Sequence, residues 1–346
     1  MKIIQVIGSL GDGGAERVVL NLDLLFKKNG IDSKIIVLHE KLFYDTTGNT
    51  IINLNTKKSK AKKPLLKLLS QENPDLVLLH MQDMSRLLKS IQSNTIYHVI
   101  HTDIYERLKH LNLFKKFKKI RDYKKIYRSK NIITVSKNIQ NGFDKLHITP
   151  SSIQTIYNPF NIDQIRELST GFTPKEKNYI IHVGSLRQVK RQDILLRAFA
   201  KLKTSKKLLL LGDGPKKSDL MNLAKELKID KRIHFLGWQK NPYPYIKNAD
   251  LLVLSSEAEG LSNVLIESLI LYTPVVSTNC NSGPREILID ELKPYLAKIN
   301  DVNSLANIIE STINDYPKIS LKHYEKFNDN NIINSYLDII KSIKND

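Results

Sequence analysis

Short runs of consecutive apolar residues, each closed by glycine, asparagine or a charged turn, recur along the whole chain. In the first half residues 2–7, 34–38, 76–79, 95–100 and 131–135 read as buried strands. In the second half residues 179–183, 207–211, 233–236, 250–255 and 274–277 do the same. Between them the apolar spacing changes to that of helices, as at 15–28 and about 329–343. Strand and helix in alternation predict α/β architecture with mostly parallel sheets covered on both faces. Pro159, in the segment 156–161, breaks both kinds of pattern and marks the passage between halves. The predicted division is a domain at 1–160, a domain at 161–325 and a terminal helix at 326–346.

Residues 249–288 carry the densest pattern. A buried strand ends at Ser255, Ser256 and Gly260, and a helix follows with Val264, Leu265, Leu269 and Ile270 at helical spacing. Ser262 is placed to cap that helix. A second strand, 274–277, completes a β-α-β unit. The turn at Gly260, Leu261 and Ser262 offers free backbone N–H groups at the positive end of a helix dipole, a setting for a diphosphate. Glu259 and Glu267 flank the turn with seven residues between them, and each carboxylate can accept hydrogen bonds from neighbouring sugar hydroxyls. Amides for phosphate and carboxylates for hydroxyls suit a nucleotide sugar. Residues 282–286 read as a further turn at the same edge.

Other strand ends add candidates. Gly13 and Gly14 precede the helical pattern at 15–28, but Glu16 stands where a dinucleotide fingerprint needs its third glycine. After the strand at 179–183 come Gly184, Arg187 and Lys190, a glycine turn with cations that can clamp a diphosphate. Gly212 and Gly237 close the next two strands. His101 emerges at the carboxyl end of its strand, where α/β proteins bind ligands, whereas His98 has the opposite facing and reads as structural.

The blocks GGAERVVLNL, TVSKNI, IYNPFN, HVGSLRQVKRQDILL, LGDGP and IHFLGW occur in that order. With the E-G-x6-E pattern of Glu259, Gly260 and Glu267 followed by TPVVST, the sequence resembles glycosyltransferase family 4. The resemblance spans nearly the whole chain. It implies the GT-B fold, two Rossmann-like doubly wound parallel-sheet domains facing an interdomain cleft, with the last helix crossing back to the first domain. It also implies a retaining transferase that takes a hexose or N-acetylhexosamine from a nucleotide diphosphate donor, with UDP the expected carrier. Lys190 and an arginine are then expected on the donor diphosphate. The family's arginine directly follows the glycine; Ser185 stands there in this chain, and Arg187 is the substitute. The turns at Gly13, Gly14, Gly184, Gly212 and Gly237 are expected close to the donor, and His101 close to the transferred sugar. Glu259 is assigned to hydroxyls of that sugar and Glu267 to the ribose.

Charge adds a partner. The net charge is +19, and residues 1–160 hold 27 Lys and Arg against 13 Asp and Glu, compared with 27 against 22 in the remainder. Such asymmetry predicts an anionic surface, unless it reflects a lysine-rich coding bias. Residues 107–130 contain eleven Lys and Arg and one acid, with Leu, Phe, Ile and Tyr interleaved. A basic amphipathic helix of this kind lies on an anionic bilayer, or packs by its apolar side with the charges solvated; no nucleic-acid-binding signature accompanies it. There is no run of eighteen apolar residues, and the lone Cys280 fits a reducing cytoplasm. The expectation is a cytoplasmic enzyme, peripheral on the inner face of the plasma membrane, with a glycan or polyprenyl-lipid-linked acceptor of bacterial surface polysaccharide synthesis. No D-x-D or H-E-x-x-H occurs, so neither a metal nor another cofactor is expected. Two other classes stay open at this level: a nucleotide-sugar 2-epimerase of the same architecture, and a polyanion- or nucleic-acid-binding protein.

Overall fold

Val, Ile and Leu follow one another on the strands rather than alternating with polar residues, so both sheet faces need cover. The computed structural model describes residues 1–11, 13–109 and 111–345, and it buries most residues of the central strands. The chain divides into two units, Met1–Pro159 with Phe327–Asp346, and Phe160–Lys326.

In the first unit the strands are β1 (Lys2–Ile7), β2 (Asp32–Val37), β3 (Ile51–Asn53), β4 (Leu76–His80), β5 (Ile96–Ile100), β6 (Asn131–Thr134) and β7 (Ser152–Thr155). Among the described residues they form one seven-stranded parallel sheet in the order β3-β2-β1-β4-β5-β6-β7. The helices are α1 (Gly14–Lys28), α2 (Lys62–Glu72), α3 (Met81–Leu87), α4 (Leu113–Tyr127) and α5 (Lys137–Lys145).

In the second unit β8 (Tyr179–Val183), β9 (Lys207–Leu211), β10 (Ile233–Gly237), β11 (Leu251–Leu254), β12 (Val275–Thr278) and β13 (Leu296–Ala297) form a parallel sheet ordered β10-β9-β8-β11-β12-β13. Its helices are α6 (Ile162–Leu168), α7 (Gln192–Lys201), α8 (Lys217–Glu226), α9 (Tyr243–Lys247), α10 (Asn263–Ile270), α11 (Pro284–Ile287) and α12 (Val302–Asn314). Ile180, Leu208, Leu210, Leu251 and Val253 pack with Leu195, Phe199 and Leu305 in one continuous core.

The final helix, α13 (Asp329–Asn345), belongs to the first unit. There Tyr336 meets the ring of Phe26 edge-on at 5.2 Å, and Lys344 pairs with Asp75 at 3.0 Å.

Strand order reverses between β1 and β4 in one sheet and between β8 and β11 in the other. Loops leaving adjacent strands at such a point diverge, and the crevice between them is where α/β sheets bind ligands. The strands at β3, β7 and β13 were not predicted from the apolar pattern; they hold three, four and two residues at or near sheet edges.

The basic segment 107–130 differs from its expectation of one helix. Residues 106–108 form a 3-10 turn, and α4 begins only at Leu113, where the Asn112 side chain accepts from the Lys115 N–H. Its last turns pack inward through Tyr123, Ile126 and Tyr127, while Leu113, Phe114 and Phe117 are 85%, 79% and 69% exposed. Among the described residues no helix is long and apolar enough to cross a membrane.

Candidate active site

At the switch point of the second sheet two loops are stitched together. The loop after β8 begins at Gly184 and runs through the 3-10 turn Gln188–Lys190; the loop after β11 runs from Ser255 to Ser262. Glu257 N–H donates to Val189 O at 2.9 Å, and Ser255 Oγ donates to Lys190 O at 2.9 Å. These bonds bring Lys190 to Glu259: the ammonium reaches both carboxylate oxygens, at 2.7 and 2.8 Å. Ser256 Oγ donates to the same carboxylate. The two residues lie 69 positions apart in sequence, and the sequence assigns them to different parts of the donor.

The turn from Glu259 to Ser262 is fixed from behind. Ser282 Oγ donates to Glu259 O, and Gly283 N–H donates to Gly260 O at 2.8 Å. A Cβ at Gly283 would stand 2.3 Å from Leu261 O, so only glycine allows this approach. The 282–286 turn is thus a brace for the donor loop.

Ser262 departs from its predicted role. It occupies the N-cap position of α10, but with φ +67° it is left-handed, and its hydroxyl makes no cap bond. A cap hydroxyl reaches the helix N–H groups from an extended backbone, which this residue lacks. Its Oγ is buried without a hydrogen-bond partner among the described residues. Leu261 is buried, and Glu267 is buried within α10.

Gly184 and Gly212 meet at the ends of β8 and β9, where Gly184 N–H donates to Leu211 O at 2.9 Å. Gly212 has φ +130°, and a Cβ there would fall 2.1 Å from Gly184 O. Gly212 N–H in turn donates to Gly237 O at 2.7 Å, so the three glycines close the carboxyl edge in sequence. Beneath them His182 is buried and its pKa is lowered to about 4 by desolvation. Its Nδ1 lies 2.9 Å from Val253 O, which can only accept, so the proton sits on Nδ1 and Nε2 faces Gln192.

The arginines do not join Lys190. Arg187 is exposed and makes no side-chain bond to a described residue. Arg191 turns to Asp193, at 2.9 Å, and to Asn300. Cys280 is buried, and burial pushes its thiol pKa up, away from thiolate chemistry.

In the first unit Gly13 is the N-cap of α1 and Gly14 its first residue; Tyr44 Oη donates to Gly13 O at 3.1 Å. His101 directly follows β5, half-buried, with its pKa lowered to about 4 by desolvation. Its Nε2 lies 2.9 Å from Nδ1 of His80, the last residue of β4. Sequence reasoning missed His80, although it ends its strand as His101 does. His98 is buried, packed edge-on against Tyr127.

Two doubly wound parallel units, one carrying a cation and a carboxylate at a helix N-terminus on its switch point, are of the GT-B fold class. The sequence comparisons name the family. Residues 164–332 match the family described as "Glycosyl transferases group 1", and residues 12–164 match "Glycosyltransferase Family 4". The chain belongs to glycosyltransferase family 4. It is 29% identical to the N-acetylgalactosamine-N,N'-diacetylbacillosaminyl-diphospho-undecaprenol 4-alpha-N-acetylgalactosaminyltransferase of Campylobacter jejuni, over 91% of this chain and 90% of that one. It is 27% identical to the capsular polysaccharide biosynthesis glycosyltransferase CapH of Staphylococcus aureus, over 96% and 94%. In fold it is similar to Anabaena Alr3699/HepE, solved with UDP and glucose: TM-score 0.79, 18% identity, 99% and 100% covered. These relatives set aside the epimerase and polyanion-binding readings.

Proposed function

We propose that this enzyme moves a hexose or N-acetylhexosamine, with retention, from a nucleoside diphosphate sugar to a glycan or polyprenyl-linked acceptor of surface polysaccharide synthesis. The observation that carries the reading is the meeting of Lys190 and Glu259 beside the start of α10 at the β8/β11 switch point. There a diphosphate finds an ammonium and the positive end of a helix dipole, while hydroxyls find a carboxylate. Glu259 takes hydroxyls of the transferred sugar, Glu267 those of the ribose, and His101 serves the sugar. Support for a lipid-linked acceptor comes from the name of the Campylobacter relative, and for surface glycans from that of the Staphylococcus relative.

Lys190, the exposed Arg187 and the amides at the start of α10 stabilise charge on the leaving diphosphate, which is electrostatic catalysis by groups already in place. A departing phosphate oxygen takes the acceptor's proton on the same face. No metal or other cofactor is needed in this scheme. The exposed apolar and lysine-rich start of α4 docks the enzyme on the anionic inner face of the plasma membrane.

The test is incubation with a panel of UDP- and GDP-sugars, with and without a polyprenyl-diphosphate saccharide, in excess chelator. Glycosylated acceptor with the donor's anomeric configuration is the expected product. Isomerised donor without acceptor would sink the transfer reading, and activity that returns only with magnesium or manganese would sink the metal-free one.

A further inference from the structure

His80 and His101 share one hydrogen bond, Nδ1 to Nε2 at 2.9 Å, with their rings stacked at 5.2 Å. Two neutral imidazoles can make it in two ways. In the first, His80 Nδ1–H donates, His80 Nε2 is a bare lone pair, and His101 carries its proton on Nδ1. In the second, His101 Nε2–H donates, and His80 keeps an N–H on Nε2. The environment of His80 separates them. The residue is fully buried, and its Nε2 has no hydrogen-bond partner among the described residues. The second arrangement would bury an N–H with no acceptor, which folded proteins rarely tolerate; the first leaves only a lone pair unmatched. Both imidazoles are neutral near pH 7, because desolvation lowers each pKa. His80 is also held by the backbone: it is the N-cap of α3, and Met81 after it sits at φ +72°, a left-handed conformation that a residue with a side chain adopts at a cost. The pair stands where β4 meets its neighbours, next to the β1/β4 switch point.

We propose that His80 is a positioning residue: it donates to His101 Nε2 and fixes His101 as the Nδ1–H tautomer, so that His101 meets the substrate as a hydrogen-bond donor and not as a base. The inference rests on the reading that His101 serves the transferred sugar. It assigns His101's partner a chemical class, an oxygen acceptor such as a sugar hydroxyl or a phosphate oxygen. It also leaves the acceptor's proton to the leaving diphosphate, since His101 has its remaining lone pair engaged by His80.

The experiment has a spectroscopic and a kinetic arm. Two-bond proton–nitrogen correlation on the full-length enzyme with labelled histidine, at pH 7.5, reads the tautomers directly; the His101→Gln spectrum assigns the His101 signals. Nδ1 protonated and Nε2 bare in His101 is the expected result, and Nε2 protonated overturns the tautomer assignment whatever the kinetics show. In His80→Leu the constraint is lost, and kcat is expected to fall about tenfold with donor KM changed less than about twofold, on the scale of one hydrogen bond. His80→Asn presents an amide N–H near the Nδ1 position and should retain most of kcat. A folded His80→Leu enzyme with the parent's kcat overturns the positioning role; if that variant does not fold, the spectrum of the parent decides. Full transfer activity in His101→Gln instead overturns the placement of His101 at the sugar, and leaves the tautomer result to stand by itself.

Discussion

Lys190 directs its ammonium at both oxygens of Glu259, so a diphosphate entering here competes with a carboxylate for that cation. The assignment of Glu259 to the transferred sugar predicts that Glu259→Gln leaves nucleoside diphosphate affinity nearly unchanged; the ion pair alters this. Removing the charge frees Lys190 and removes a repulsion. Glu259→Gln should therefore bind free nucleoside diphosphate about fivefold more tightly, roughly 1 kcal/mol for a partly exposed pair, while kcat falls. Glu267→Gln should lose about tenfold or more in the same affinity, the scale of a charged hydrogen bond. Calorimetry with nucleoside diphosphate on both variants decides; weaker binding by Glu259→Gln would mean that the carboxylate positions Lys190 and does not compete for it. Lys190 and Glu259 were legible in the sequence because each sits in a distinctive block. Ser256, Ser282 and His80 were not, because their roles depend on how loops far apart in sequence close on one another. Ser262 misled for a related reason: residue type suggests a cap, but the backbone angle decides whether the hydroxyl can make one.

At the scale of the element, α4 divides the two readings of its sequence along its length. Tyr123, Ile126 and Tyr127 pack as a core-facing helix would, and Leu113, Phe114 and Phe117 project into solvent as a membrane-facing helix would. Apolar periodicity could not separate the halves, since the spacing is the same in both. Lys115, Lys116 and Lys118 flank the exposed apolar residues, whereas Lys119 bonds Gln82 at 3.3 Å and lies over the Tyr123 ring. Neutralising Lys115, Lys116 and Lys118 together should weaken binding to anionic vesicles by about 1 kcal/mol per lysine at low salt. Donor hydrolysis should persist, because these residues are remote in sequence from the Lys190 loop and belong to the other unit. Replacing Leu113, Phe114 and Phe117 by serine should lower vesicle binding even in high salt, where the lysine contribution is screened. Sedimentation with vesicles of phosphatidylglycerol in phosphatidylcholine measures both, and undiminished pelleting of either variant would remove α4 from the membrane contact.

For the whole molecule, the parallel α/β class was legible because buried central strands are apolar at most positions, while β3, β7 and β13 escaped notice as short edge strands with few residues to mark them. That same burial places neutral histidines inside each unit. His80, His98 and His101 in the first, and His182 in the second, have folded-state pKa values below the usual 6.5: well below it for His80, about 3 for His98 and about 4 for His101 and His182, desolvation being the main cause in each. Above pH 6.5 neither the folded nor the unfolded chain protonates these groups, and stability is insensitive to them. As pH falls through 6.5 the unfolded chain takes up protons that the folded chain refuses, so each histidine costs about 1.4 kcal/mol per pH unit until its own folded pKa is reached. Carboxylates held below their usual range, such as Glu72 beside Lys34 and Lys2, give up stability only under about pH 4.5. The histidines act in the window from 6.5 to 4.5, and the first unit, with three of them against one, should fall more steeply than the second, by less than threefold because burial raises the carboxyl pKa of its Asp103 and Asp329. Urea unfolding at pH 7.5, 6.5 and 5.5, followed in the parent and in His98→Phe, tests this. The variant keeps an aromatic ring against Tyr127 but cannot titrate, and the first unit's loss per pH unit should shrink by about 1.4 kcal/mol. If His98→Phe loses stability with acid as steeply as the parent, the buried imidazole at that position is not the source.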